Sequence, residues 1–128
     1  MNVSRPFMVI GGLYLLVGIG MAMGASGSVT FVPLHAHINL LGFVLMTLFG
    51  LVYHVFPAMA DSVLSKLHFW MHQVGTIILV VMLYLFLSGW IGEAGMVPLA
   101  PAAEGIVWLG VLVFVVNLWQ NTTSRMAA

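Results

Sequence analysis

Four long apolar stretches alternate along the chain with short segments rich in glycine, proline and polar residues. The apolar stretches cover approximately residues 6–23, 34–56, 67–88 and 102–118. A helix needs about 20 apolar residues to cross the hydrocarbon core of a bilayer, so these lengths fit membrane-spanning helices. Isolated strands would leave their backbone unpaired in lipid, and the alternating segments of about 10 residues that form barrels do not occur. The pattern therefore predicts four transmembrane helices.

The residues between the stretches agree with helix ends. Proline is tolerated at the edges of a helix and not in its middle, and glycine is common just beyond the end. Such residues stand at the predicted boundaries: Pro33, Pro57, Gly89, Pro98 and Pro101. The sequence therefore predicts one all-α domain, residues 1–128, folded as an integral membrane four-helix bundle. An alternative for the first stretch is a secretory signal peptide with a cleavage site near residues 22–25.

Composition supports the membrane class and excludes several kinds of site. Hydrophobic residues make up 62% of the chain and charged residues only 5%, whereas soluble domains carry about 25% charged residues. The net charge is zero, which argues against nucleic acid as a partner. The chain has no cysteine, so disulfides, thiolate metal sites, iron–sulfur clusters and c-type haem attachment are excluded. Any cofactor must be held by His, Met, carboxylate or backbone.

The few charged residues predict the orientation in the membrane. Arg5, Lys66 and Arg125 all fall on one side of the predicted helices, and Glu93 and Glu104 are predicted in the loop on the other side. Lys and Arg are enriched in cytoplasmic loops. We therefore predict a multi-pass protein of the cytoplasmic (inner) membrane with both termini in the cytoplasm.

Two of the five histidines lie at the start of the second helix. His35 and His37 are two residues apart, which on a helix separates their side chains by about 200°. The pair therefore points to opposite sides of the helix and can bind one group on each side. Asn39 and Gly42 share the stripe of His35, where Gly42 offers room for a flat macrocycle and Asn39 a hydrogen bond. These four residues are the predicted cofactor-binding set.

The other histidines, His54, His68 and His72, are predicted near the cytoplasmic ends of the second and third helices. The i, i+4 spacing of His68 and His72 puts both rings on one face, a common geometry for a shared metal ion. Gly75 and Thr76 extend this face into a small or polar stripe that points inward. A second metal site for copper or zinc is one interpretation. The other is solvated histidine at the level of the lipid headgroups.

Three segments carry a family resemblance: 34–43 (LHAHINLLGF), 50–57 (GLVYHVFP) and 66–72 (KLHFWMH). They resemble the second and third helices of haem–copper oxidase subunit I, most closely in the nitric oxide reductase and C-type oxidase branches. Small four-helix proteins related to that subunit share the His-x-His-x-Asn and Tyr-His-x-Phe-Pro patterns. The resemblance covers most of the chain and is most specific around residues 33–73.

The resemblance implies an architecture and a cofactor. Subunit I has twelve helices in three pseudo-symmetric groups of four, with haem between the groups, so three copies of this chain are expected to form a twelve-helix homotrimer. His35 of one subunit and His37 of its neighbour are then expected to ligate a b-type haem. The His-Pro-Glu segment, the later His-His pair and the outer-side arginines of subunit I do not occur here. The resemblance therefore does not extend to a full oxygen or nitric oxide reductase centre.

Three functions are compatible with these features. The first is electron transfer through haem b, from quinol or to a redox-protein partner. The second is copper or zinc binding or sensing by the second histidine group. The third is a structural or assembly role in a respiratory complex.

Overall fold

The computed structural model of the protein describes residues 1–24 and 29–126, and its side chains as far as residue 122. Four helices are long and apolar enough to cross a membrane: α1 (Ser4–Gly24), α2 (Val32–Val55), α3 (Val63–Leu87) and α4 (Leu99–Met126). Single helical turns, Pro57–Ala60 and Glu93–Met96, lie in the connections. No strand occurs in the parts of the chain described. The predicted all-α class is confirmed, and the four predicted stretches form helices long and apolar enough to span a membrane.

Helix α3 begins four residues before the predicted start. Its first turn is capped by Ser62, whose hydroxyl accepts a hydrogen bond from the backbone N–H of Ser65 at 3.1 Å. Such a cap satisfies one of the donors that a helix start leaves unpaired. The capping residue therefore sets the start of α3 in a segment that the apolar pattern did not include.

Helix α4 is longer than predicted at both ends. It starts at Leu99 and includes Pro101 in its first turn, where proline is accepted because the N–H it lacks has no helical partner. Glu104 lies in the second turn of α4, as the stretch 102–118 implies, and its predicted position in the loop was wrong. The predicted helix-ending segment at residues 25–28 and the side chain of Arg125 lie outside the described parts.

The helices run alternately up and down, and glycines set how closely they pack. In α2, Gly50 lies against Met8 of α1. In α3, Gly75 lies against Val107 of α4. Small residues let the backbones of membrane helices approach, which is how such helices gain packing contacts in lipid. The chain thus forms two tightly packed hairpins, α1–α2 and α3–α4.

An aromatic core joins the two hairpins at the end of the bundle where α1 starts and α4 ends, which we call the terminal end. Phe7 of α1 is fully buried there. Its ring lies 5.7 Å from Phe49 of α2 and 5.0 Å from Phe69 of α3. Phe114 of α4 completes the contact, 4.7 Å from Phe49. Many large apolar side chains outside this core are exposed, among them Leu16, Trp70 and Trp108, which suits a lipid environment.

Candidate functional site

Helix α2 changes its winding directly after the two histidines at its start. Residues Ile38–Val44 form a π-helix, in which the Leu45 N–H donates to the Leu40 carbonyl five residues earlier. Insertions of this kind are rare and often occur at functional sites. The seven-residue π segment separates the histidine turn Val32–His37 from the regular α-helix Leu45–Val55. The side chains before and after it are therefore offset from simple α-helical spacing.

His35 faces α1. Its Nδ1 lies 3.0 Å from the carbonyl oxygen of Gly18, and since a carbonyl can only accept, Nδ1 carries the hydrogen and donates. The lone pair is then on Nε2, which lies 3.1 Å from the side-chain amide nitrogen of Asn39. His35 is thus held in one tautomer and orientation by a backbone carbonyl of the neighbouring helix.

His37 faces the other way, into a groove bordered by α2, α3 and α4. Its Nδ1 lies 2.7 Å from the carbonyl oxygen of Pro33, so this ring also donates from Nδ1 and carries its lone pair on Nε2. The side chain is exposed. The groove has a volume of about 500 Å³, and its other lining residues are mostly apolar, among them Leu41, Leu79, Val107 and Trp108.

Among the described residues, Glu104 is the only one with a carboxylate that lines this groove. It lies in the second turn of α4, inside a helix that is long and apolar enough to cross a membrane. Ionisable groups in membrane-spanning helices are costly and usually functional. The sequence analysis used Glu104 only as a charge that reports orientation and did not select it as a site residue, because the groove that it lines forms only when α2, α3 and α4 pack together.

The other two residues of the predicted cofactor set pack within the chain. A side chain added at Gly42 would collide with the ring of Tyr14, and one added at Gly18 would lie 2.7 Å from the amide oxygen of Asn39. Helix α1 therefore fills the space that was predicted to receive a macrocycle beside Gly42. Of the four predicted residues, the structure brings only His37 to an open groove.

The three histidines of the second group are not brought together. His54 is exposed in the last turn of α2, whereas His68 and His72 are fully buried in the core. Within the described residues no group of three or more His, Asp or Glu could hold one metal ion. The predicted three-histidine arrangement is therefore not assembled. The predicted inward stripe is confirmed, because Gly75 and Thr76 are buried next to the pair.

The buried pair is held from outside by two hydrogen bonds. His68 Nδ1 lies 2.9 Å from the hydroxyl of Tyr53, and His72 Nε2 lies 2.9 Å from the carbonyl oxygen of Leu41, inside the π segment. The remaining ring nitrogens, His68 Nε2 and His72 Nδ1, have no hydrogen-bond partner, and neither does the hydroxyl of Thr76. Buried polar atoms without partners are uncommon in folded proteins. The i, i+4 spacing indicated that His68 and His72 share one face of the helix, but it gave no sign of their partners Tyr53 and Leu41.

In comparisons with known proteins, no family model, curated protein or solved structure matches this chain. The likeness to haem–copper oxidase subunit I therefore rests on the sequence motifs alone.

Proposed function

We propose that this protein binds haem b in the membrane and transfers single electrons, as a homotrimer related in architecture to haem–copper oxidase subunit I. The observation that carries the proposal is the hydrogen bonding of the two imidazoles at the start of α2, which fixes their tautomers. His35 and His37 each donate Nδ1–H to a backbone carbonyl, at 3.0 and 2.7 Å. Histidines that ligate metals usually donate their second ring nitrogen in this way, which fixes the tautomer and leaves Nε2 for the metal.

The size and the lining of the groove beside His37 suit a flat apolar ligand. Its volume of about 500 Å³ falls within the range of about 300–1,000 Å³ typical of small-molecule sites. Leucine, valine and tryptophan side chains would pack against a macrocycle and exclude water from it. A haem with two imidazole ligands exchanges electrons and has no open position for a gas.

The second ligand would come from a neighbouring subunit. His35 and His37 of one chain face different sides of α2, so they cannot ligate the same iron. In a closed ring, each interface would join the His37 groove of one subunit to the His35 side of the next. His35 Nε2 would exchange its 3.1 Å contact with the Asn39 amide for the iron. This would make the three interfaces of a trimer equivalent.

The direct test is the spectrum of the purified protein in mild detergent. We expect the reduced-minus-oxidised spectrum of a low-spin b-type haem, with one haem per chain. His35→Ala and His37→Ala are each expected to abolish it. His54→Ala is the matched control, since this exposed histidine lies on the same helix at the other end of the bundle. A full-strength low-spin spectrum in either of the first two variants would refute the assignment.

A mixing experiment tests the shared site. His35→Ala and His37→Ala subunits with different tags are expressed together, and trimers that carry both tags are purified. If each haem needs His37 of one chain and His35 of the next, one of the three interfaces keeps both ligands in every mixed ring. These trimers should regain about one third of the wild-type haem, and no recovery would exclude ligation across subunits.

The proposed orientation, with both termini in the cytoplasm, is supported by the positions of the charges. Arg5 and Lys66 lie at the terminal end of the bundle, and Glu93 lies in the connection at the opposite end. Because the chain has no cysteine, single cysteines report on sidedness without a background. An impermeant thiol reagent added to intact cells should label Glu93→Cys and leave Asn2→Cys unlabelled, and the reverse result would invert the topology.

A further inference from the structure

The core of the bundle contains two imidazoles whose unpaired nitrogens suit a small ligand. His72 Nε2 lies 2.9 Å from the carbonyl oxygen of Leu41, which can only accept, so His72 Nδ1 carries the lone pair. His68 Nδ1 can donate to the Tyr53 hydroxyl oxygen at 2.9 Å, which leaves the lone pair of His68 on Nε2. Those two nitrogens are the ones without partners, and both side chains have no exposed surface.

We propose that His68 Nε2 and His72 Nδ1 together bind one monovalent copper ion. Imidazole is a good ligand for copper, and Cu(I) accepts two nitrogen ligands in a line. In a linear N–Cu–N arrangement, the centres of the two imidazole rings are about 6 Å apart, which is the sum of two metal–nitrogen bonds of about 2 Å and the distance from each nitrogen to the centre of its ring. The ring centroids of His68 and His72 lie 5.9 Å apart. The outer hydrogen bonds to Tyr53 and Leu41 are the kind that orient metal-ligating histidines.

The surroundings of the pair select a singly charged ion. The three Asp and Glu side chains, Asp61, Glu93 and Glu104, are all exposed, so within the described part of the chain no acidic side chain is available to balance a buried divalent cation. The Born cost of burying an ion rises with the square of its charge, which makes it about four times larger for Zn²⁺ than for a monovalent ion of equal size. Structural zinc also takes four ligands, and only two imidazoles are present.

Aromatic rings close the site against water. Phe49 lies 4.4 Å from the ring of His68 and 5.2 Å from that of His72, between centroids. Phe7 and Phe114 lie 5.1 and 5.2 Å from His68. Such walls favour a low coordination number, because they provide no further ligand. The proposed site differs from the three-histidine site expected from the sequence, since the exposed His54 takes no part in it.

The test is a Cu(I) titration of the full-length protein in detergent, without oxygen, from a coloured Cu(I)–bicinchoninate complex. The wild type should remove one Cu(I) per chain. His68→Gln and His72→Gln should lose this binding, whereas the matched control His54→Gln should keep it. Tyr53→Phe removes the hydroxyl that bonds His68 Nδ1 and that also interacts with Asn117, and it should weaken copper binding about 10-fold. If the wild type takes up no Cu(I), the proposal is overturned and a bridging water between the two imidazoles is favoured. Uptake that both glutamine variants retain would also overturn the proposal.

Two readouts keep the test independent of variant folding and of haem. X-ray absorption on the copper-loaded wild type should give two nitrogen neighbours at about 2 Å, and a sulfur-containing or four-coordinate shell would overturn the assignment. Zn²⁺ should not compete for the site, and equal zinc affinity would contradict the charge argument. The haem spectrum, measured on the same samples, should be unchanged in His68→Gln, which separates this site from the one at His37.

Discussion

Gly50 is a point at which the backbones of α1 and α2 lie in close contact. A Cβ added there would lie 2.5 Å from Met8 Cγ, 2.9 Å from the carbonyl oxygen of Ser4 and 3.1 Å from the backbone nitrogen of Met8. Two of these three atoms belong to the backbone of α1. A rotamer change at Met8 can therefore relieve only the first contact, and Gly50→Ala must push the two helices apart.

The size of the effect follows from two opposing terms. Overpacking of a well-packed core costs about 1–3 kcal/mol. Alanine gains up to about 1 kcal/mol over glycine in a helix interior, and less where the helix persists in the unfolded state, as it does in lipid. We therefore expect Gly50→Ala to lower the free energy of unfolding by about 1–2 kcal/mol. Gly12→Ala is the matched control in α1, because an added Cβ there meets nothing within 4 Å.

The measurement is reversible unfolding in mixed micelles with increasing sodium dodecyl sulfate, followed by circular dichroism and tryptophan fluorescence. Gly12→Ala should be as stable as the wild type or slightly more stable. If Gly50→Ala unfolds at the same detergent fraction as Gly12→Ala, the close approach of α1 and α2 at this residue is not a feature of the folded protein.

Three further outcomes are expected. Thr76→Val should leave stability unchanged or raise it by about 1 kcal/mol, since it removes a buried hydroxyl without a partner; a clear loss in the same unfolding assay would mean that the hydroxyl is bonded. Asn117→Ala should destabilise by about 1–3 kcal/mol, because the buried amide donates to the Met59 carbonyl at 3.2 Å, whereas exposed Gln120→Ala should have no effect. Glu104→Gln should raise the haem midpoint potential by tens of millivolts in a redox titration, because it removes a negative charge from the groove; an unchanged potential would place the haem away from α4.

The apolar pattern was sufficient for the number, type and order of the membrane helices, because length and hydrophobicity decide whether a segment spans a bilayer. The apolar pattern did not give the starts of α3 and α4, although the residue types at those starts indicate them. Ser62 is a favoured capping residue before α3 and Pro101 fits a first helical turn, but neither belongs to a continuous apolar run, so the apolar pattern starts both helices too late.

The site was predictable only in part, because its geometry depends on contacts between helices. The divergence of His35 and His37 follows from two-residue spacing within one turn. The π segment does not, since π-helices are rare and nothing in the apolar pattern of this helix signals one. Burial of His68 and His72 likewise depends on partners, Tyr53 and Leu41, that lie 15 and 31 residues away along the chain.

The two sets of imidazoles suit different ligands because they differ in available space. His37 borders an open groove of about 500 Å³, which can admit a macrocycle and does not surround a bare ion. His68 and His72 have no exposed surface and are enclosed by phenylalanine rings, so only a ligand of a few atoms can reach their nitrogens without unfolding the core. Loss of haem in His37→Ala with copper binding intact, and the converse in His68→Gln, would therefore establish two separate sites.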